Sequence, residues 1–250
     1  MIWLFILIII LFIILNLQKK EEFQNTPNSL VVILPLRDRE SDLEKYLKNI
    51  IPIFKHQKIN YTIIIVEQAP GKKFNKGKIN NVGFLEALKY NPNAKRFLFN
   101  DVDNFPLGKD VINYNTHIKG FHHFFGYDFC LGGFFLTNKN KFKLVNGYSN
   151  QYWGWGGEDK NLQDRSELLN IKIIRNPFVE RNNNNKLISD IREKKNNVET
   201  KYLSISKKLK ETYIKNINNI YLDGINTCQY KIIEKNINKT NKIIRILVDI

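Results

Sequence analysis

The 250-residue chain has only two cysteines, Cys130 and Cys228. That excludes a disulfide framework and leaves room for one bridge at most. Histidine is scarce as well. His56, His117, His122 and His123 are the whole set. None has a clear claim as a metal ligand, and the pair His122-His123 is expected at the surface or on the acceptor side. Acidic residues are outnumbered, 24 against 39 Lys and Arg, for a formal net charge of +15. Such a surface attracts nucleic acid, anionic lipid or a nucleotide diphosphate. No nucleic-acid module accompanies the charge, so no nucleic-acid partner is expected and a solvated basic face is the reading. Much of the excess follows Lys186, as at Lys207-Lys208. No internal repeat is present. Long apolar runs are limited to one, Ile2 to Leu15. It is shorter than the roughly 20 residues of a usual spanning helix. It lacks a basic flank before it and a small-residue cleavage site, which argues against a cleaved signal. The expectation is a membrane anchor over 1–18, a short polar stem over 19–29 and one domain over 30–250. Lys19 and Lys20 follow the run and no side-chain charge precedes it, so the positive-inside rule puts the domain on the cytosolic side.

What is present is enough for a full core: 43% of the residues are hydrophobic. Leu30 to Leu36, Tyr61 to Val66 and Arg96 to Phe99 read as strands. Glu40 to Ile51 and Gly77 to Tyr90 have helical spacing, and Pro52 is expected to end the first helix. This alternation predicts an α/β fold with a mostly parallel sheet flanked by helices. Ligands of such sheets sit beyond the carboxyl ends of the strands, where Arg37, Glu67 and Asp101 fall. Short helices are expected over Asn138 to Val145, closing at Gly147, and over Glu158 to Leu169. A terminal strand is expected over Lys242 to Ile250. The stretch after Asn176 reads as polar, with a loop at Asn182 to Asn185.

Two stretches carry the chemistry. Phe99-Asn100-Asp101-Val102-Asp103 ends a strand in two carboxylates at i and i+2, which point to one side. They suit one hard cation, or a cation and a ligand hydroxyl. Acidic pairs after strands also serve as turn and cap chemistry. Tyr152-Trp153-Gly154-Trp155-Gly156-Gly157-Glu158-Asp159 is more specific. Its glycines free the backbone, its indoles offer flat faces on which sugar rings stack, and a Glu-Asp pair follows at once. Together the two stretches suit a nucleotide-sugar transferase.

With these blocks the chain resembles the beta-1,4-galactosyltransferase family, inverting enzymes of the Rossmann-like GT-A fold. The resemblance runs from about Val31 to about Ile232. It also rests on Leu34 to Arg39, Phe74 to Gly83, Gly132-Gly133, Asn146-Gly147-Tyr148 and Asp223-Gly224-Ile225-Asn226. It implies a UDP-sugar donor, galactose or N-acetylgalactosamine as the transferred sugar, a glycan acceptor, and Mn²⁺ or Mg²⁺ as cofactor. It implies that Asp103 binds the metal, while Pro35, Leu36, Arg37, Arg39, Phe74, Lys76, Asp101, Val102 and Trp155 hold the donor. Asp159 matches the base, with Glu158 its neighbour, and Tyr127, Gly156, Gly157, Asp159 and Lys160 fall at the acceptor. Family members are typically anchored with the domain in the Golgi lumen, so the side of the membrane stays open. Their usual disulfides are lacking here.

The chain departs from the family at four points. Lys76 stands where Arg is usual, so a point charge replaces a planar fork. Lys160 replaces a carboxylate at the acceptor, which suits an acidic or phosphorylated acceptor. Asp190 and Leu187 stand where His and Met complete the metal site, which makes it harder and more anionic. Cys130 stands where a bulky Tyr limits room at the donor's C2 substituent, so an N-acetyl group would fit. Phe129 is the alternative occupant of that space, and Cys130 serves equally as a small core hydrophobe. A non-catalytic carbohydrate-binding protein is the rival reading, and it would not need both Asp103 and Asp159.

Overall fold

The computed structural model describes residues 29–154, 156–181, 186–191 and 200–250. The anchor over 1–18, the stem up to residue 28, Trp155 and the Asn182 to Asn185 run lie outside the described residues. No helix among the described residues is long and apolar enough to cross a membrane.

Strands β1 (Leu30–Leu36), β2 (Tyr61–Gln68), β3 (Arg96–Asn100) and β11 (Ile243–Asp249) run parallel at the centre of the sheet. β1 is apolar throughout and buried along its whole length. A strand of that kind needs cover on both faces, and two helices supply it. Val32 and Leu34 face a core shared with Leu43, Tyr46, Ile50 and Phe54 of α1 (Glu40–His56). Val31 and Ile33 face the other core, with Val82, Phe84 and Ala87 of α2 (Lys76–Tyr90). Pairs of neighbours on one strand thus divide between two layers, as a period of two requires.

The sheet extends past β3 through β6 (Phe134–Asn138), antiparallel to it, then β5 (Phe121–Gly126) and β7 (Ile173–Ile174); β8 (Val179–Glu180) also pairs with β5. On the other side, β10 (Lys231–Asn238) adds an antiparallel edge to β11. A separate small sheet pairs β4 (Asn104–Pro106) with β9 (Ile188–Asp190). The helices α3 (Lys139–Leu144), α4 (Glu158–Leu168) and α5 (Thr200–Lys215) complete the fold.

Several expectations need correction. Pro52 does not end α1, which continues to His56. Pro52 and Lys48, whose carbonyl loses its helical donor, are both exposed, so water can serve that carbonyl. His122 and His123 are not at the surface. They are buried in β5, at 6% and 0% exposure. The polar, Asn/Lys-rich region after Asn176 forms α5, two 3₁₀ turns at Ile217–Leu222 and Ile225–Thr227, and β10, besides the expected terminal strand β11. Tyr213 of α5 and Ile220 of the first turn are buried. Sparse apolar residues suffice there because neighbours provide most of the cover. Both cysteines are free.

Candidate active site

At the carboxyl ends of β1 and β3, and at the start of α4, three segments distant in sequence converge. Asn100 braces the first of them. Its amide donates to the carbonyls of Asp101 (2.7 Å) and Asn104 (2.9 Å), and Tyr46 Oη donates to its Oδ1 at 3.2 Å. The turn Asp101-Val102-Asp103 is therefore held from beneath. Backbone bonds tie this turn to the rest of the site. Asp101 N donates to Gly133 O at 2.9 Å, Leu131 N to Asp159 O at 3.2 Å, and Gly154 N to Phe74 O at 2.7 Å.

Lys76 occupies the middle. Asn75 caps α2 by accepting from Lys78 N, which puts Lys76 on the first helical position. A cation there opposes the helix dipole. Three carboxylates offset it: Nζ lies 2.9 Å from Asp101 Oδ1, 3.0 Å from Asp159 Oδ2 and 3.9 Å from Glu158 Oε1. The ammonium is consequently held well above the ordinary lysine range against the cost of burial. Asp159 goes the other way. Burial raises its carboxyl to about 8, with Glu158 and Asp101 adding to the rise and Lys76 opposing it. Glu158 is raised too, chiefly by burial. The acids at the first turn of α4 were expected from the sequence, and the dipole favours them.

Gly132 supports the base from behind. A Cβ at this position would stand 2.7 Å from Asp159 Oδ2, so any larger residue would displace the carboxylate. His123 fixes the glycine. Its Nε2 lies 2.8 Å from Gly132 O, and its Nδ1 accepts from Arg175 Nε at 3.3 Å. Burial pushes the imidazole down to about 4, so it stays neutral and donates through Nε2. Cys130 is buried beside Gly132, and burial raises its thiol to about 12. An inert small hydrophobe fits; a nucleophile does not. Phe129 is 58% exposed and stacks on Tyr127 at 5.2 Å, so it does not fill the space beside Cys130.

The donor segment is only partly gathered. Pro35 and Leu36 are buried at the end of β1. Arg37 lies over the Phe74 ring, 5.3 Å from its centroid, and donates to Lys72 O. Arg39 Nη1 donates to Asp103 Oδ2 at 2.8 Å and Nε donates to Asp42. Val102 is buried. Glu67 pairs with Arg245 of the neighbouring strand β11, which also meets Glu40 of α1. Gly156 and Gly157 have positive φ at the turn into α4. Lys160 was expected to face the acceptor, but its ammonium is ion-paired with Asp164, which Lys210 also contacts.

A hard cation fits this donor set at Asp103. Its Oδ1 is buried with no hydrogen-bond partner while Oδ2 takes Arg39, and burial raises the carboxyl. Strand pairing sets Asp190 opposite Asn104, next to Asp103. The Asp190 carboxylate, however, lies 3.3 Å from Arg181 Nε and accepts from Asn104 Nδ2 at 3.0 Å. Among the described residues no group of three or more His, Cys, Asp and Glu could hold a metal ion.

Some residues escaped sequence reasoning. Arg181 lies over the rings of Phe125 and Tyr127 besides pairing with Asp190. Arg165 of α4 is fully buried and meets Tyr213 Oη (2.8 Å) and Asp223 (3.4 Å). Asp223 in turn accepts from Asn150 N at 2.9 Å and from Ser149 Oγ. That hub anchors the chain just before Tyr152. Nothing in the sequence distinguished these two arginines from surface ones.

Two family profiles match: the N-terminal region of glycosyl transferase group 7 over residues 19–116, and the N-terminal domain of galactosyltransferase over residues 114–187. The chain belongs to glycosyltransferase group 7. It is 33% identical to human beta-1,4-galactosyltransferase 4 over 221 residues, 82% of this chain and 59% of the relative. It is 31% identical to bovine (Bos taurus) beta-1,4-galactosyltransferase 1, covering 84% of this chain and 52% of the relative. The chain thus spans between about half and three-fifths of the length of these curated relatives. A solved structure of a Drosophila beta-1,4-galactosyltransferase 7 mutant, in complex with manganese, UDP-Gal and xylobiose, superposes with a TM-score of 0.71. It covers 89% of this chain and 94% of that one at 21% identity. The fold is therefore the mixed α/β fold of this glycosyltransferase group.

Proposed function

We propose that this group 7 chain is a metal-assisted, inverting hexosyltransferase that moves galactose from UDP-galactose to a glycan hydroxyl. The observation that carries the reading is the grouping of Asp101, Glu158 and Asp159 around Lys76, with Asp103 and its unpartnered oxygen on the same turn as Asp101. The relatives' names and the ligands of the Drosophila complex support the donor, the glycan acceptor and the metal. A carbohydrate-binding protein without catalysis would need neither the raised Asp159 nor the bare Asp103 oxygen. The apolar run over 1–18 is part of the reading as a membrane anchor.

In this reading the Asp159 carboxylate takes the proton of the acceptor hydroxyl. The acceptor oxygen bonds to the anomeric carbon from the face opposite UDP, and the bond from that carbon to the diphosphate oxygen breaks, its electron pair leaving with UDP. Mn²⁺ or Mg²⁺ held by Asp103 would supply the positive charge that the leaving diphosphate needs. Arg37, over Phe74, and Arg39 present guanidinium groups toward the donor side. Lys76 holds Asp159 and Asp101 together through one ammonium. The stacked Tyr127 and Phe129 rings offer a face for the acceptor sugar. Tyr148 and Leu131, both buried, exclude water from beneath.

A second donor has one observation in its favour. Cys130, not Phe129, is buried beside Gly132, and its small side chain suits the reading in which a C2 N-acetyl group is accepted. A UDP-release assay across nucleotide sugars, acceptors and metals tests the reading. Asp159→Asn is expected to lower turnover by on the order of 10²-fold or more while donor binding persists. Undiminished turnover moves the base elsewhere. Use of UDP-N-acetylgalactosamine by the wild type and its loss in Cys130→Tyr would assign the roomier donor site. Strict UDP-galactose use, unchanged in Cys130→Tyr, rejects it.

A further inference from the structure

The two ends of the sheet differ in how many acidic residues their connections carry. Strand register fixes which residues share an end: Leu30 opens beside Tyr61 and Arg96, Arg96 faces Asn138, Ile243 opens beside Ile63, and Phe121 opens beside Ile173. The segments that enter or leave the sheet at this end are 57–60, 91–95, 115–120, 139–143, 169–172 and 239–242. None contains Asp or Glu, while Asp110 lies 3.1 Å from His56 beside the first of them; they carry Lys58, Lys95, Lys119, Lys139, Lys141, Lys143, Lys172, Lys239 and Lys242. Lys139, Lys141 and Lys242 are half-buried and the others are exposed. The opposite end is mixed: the turns after β1, β3 and β5 carry Asp38, Asp101, Asp103 and Asp128, and those after β1 and β2 also carry Arg37, Arg39, Lys72 and Lys73.

The chain enters the domain at the basic end. Leu30 N donates to Asn60 O at 2.8 Å, and Ser29 Oγ accepts from Asn91 Nδ2 at 3.4 Å. Residues 16–29 separate this point from the apolar run Ile2 to Leu15. Even fully extended they span about 50 Å at most, so a lipid surface holding the run is within reach of this face. A lysine close to an anionic membrane surface favours binding by on the order of fivefold.

We propose that the end of the sheet bearing Lys58, Lys95, Lys119 and Lys239 is a docking face for an anionic lipid surface, which turns the carboxylate-bearing end and its active site away from the membrane. Charge complementarity carries the partner's sign. The apolar run leading into the same end selects lipid over nucleic acid, and to that extent the inference rests on the anchor reading above. No substrate is involved, so the inference stands apart from the transferase reading.

Amine-reactive labelling of the full chain, read lysine by lysine by mass spectrometry, tests it. The chain is mixed with vesicles of phosphatidylcholine alone, or of phosphatidylcholine with phosphatidylglycerol, and Lys45 and Lys73 serve as exposed controls. The expected result is protection of Lys58, Lys95, Lys119 and Lys239 by roughly fivefold or more in the anionic vesicles alone. High salt should reverse it, and the controls should label unchanged. Equal labelling of the basic end and the controls overturns the proposal, and so does equal protection by neutral vesicles. Protection by single-stranded RNA, with none by anionic vesicles, overturns it in favour of a nucleic-acid partner. Failure to sediment with neutral vesicles counts against the anchor alone, because salt-sensitive protection in anionic vesicles would persist.

Discussion

Removing the Lys76 ammonium should move the pH dependence of transfer, not only its height. Nζ lies 3.0 Å from Asp159 Oδ2, and both side chains are largely enclosed, at 16% and 19% exposure. At that distance, with an effective dielectric constant near 20, the gross attraction is about 5 kcal/mol. Water reaching these partly open side chains screens the pair, so about 3 kcal/mol acts on Asp159, equivalent to about two pH units. The base works only when deprotonated, and its carboxyl already stands at about 8. Lys76→Met leaves burial and the neighbouring carboxylates unopposed, so the rising limb should shift upward by about two units. At neutral pH kcat/KM for the acceptor should fall on the order of 100-fold, and most of it should return at alkaline pH. Lys76→Arg should keep the wild-type midpoint, since it restores a cation at the same place. Initial rates of UDP release from neutral to alkaline pH give the profile. A Lys76→Met midpoint equal to the wild type's, at any height, refutes the electrostatic role.

Asp103→Ala should abolish metal-stimulated UDP binding and transfer while the fold persists; titration of UDP with and without Mn²⁺, followed by fluorescence, checks this, and unchanged metal dependence refutes it. Gly132→Ala would force a Cβ to within 2.7 Å of Asp159 Oδ2, so turnover should drop at least tenfold with the melting temperature nearly unchanged, measured by rate and thermal melt together. Arg165→Met leaves Asp223 and the Tyr213 hydroxyl without their buried partner and should cost about 3 kcal/mol, the range for breaking a buried ion pair. Denaturant unfolding reads that loss, and a loss near zero would mean that the hub does not hold α4 to α5.

Much of the layer structure was legible in the chain itself. The apolar runs of β1, β2 and β3, the helical spacing of α1 and α2, and the acids opening α4 each follow from local periodicity or dipole. Asp101 and Asp103 could be set at the end of a strand, because a strand's end is where its apolar run stops. The ordered blocks from Leu34 to Asn226 pointed to the family that the comparisons then matched. Local signals could not decide which side chains meet. Lys76 and Asp159 are far apart in sequence, and only the packing of α2 against the start of α4 makes their ion pair. His123 looked like one half of a surface or acceptor-side pair, yet strand position buries it against Gly132. Lys160 is spoken for by Asp164, a partner one helical turn along whose burial no sequence pattern announced. Pro52 stays in its helix because solvent, which tertiary position grants or denies, can serve the carbonyl it leaves bare. Arg165 is buried because Tyr213 and Asp223 arrive from a region whose apolar content was too thin to predict a core. In each case the sequence supplied the group's chemistry, while burial and the partner, which set its charge and role, came from contacts between distant segments.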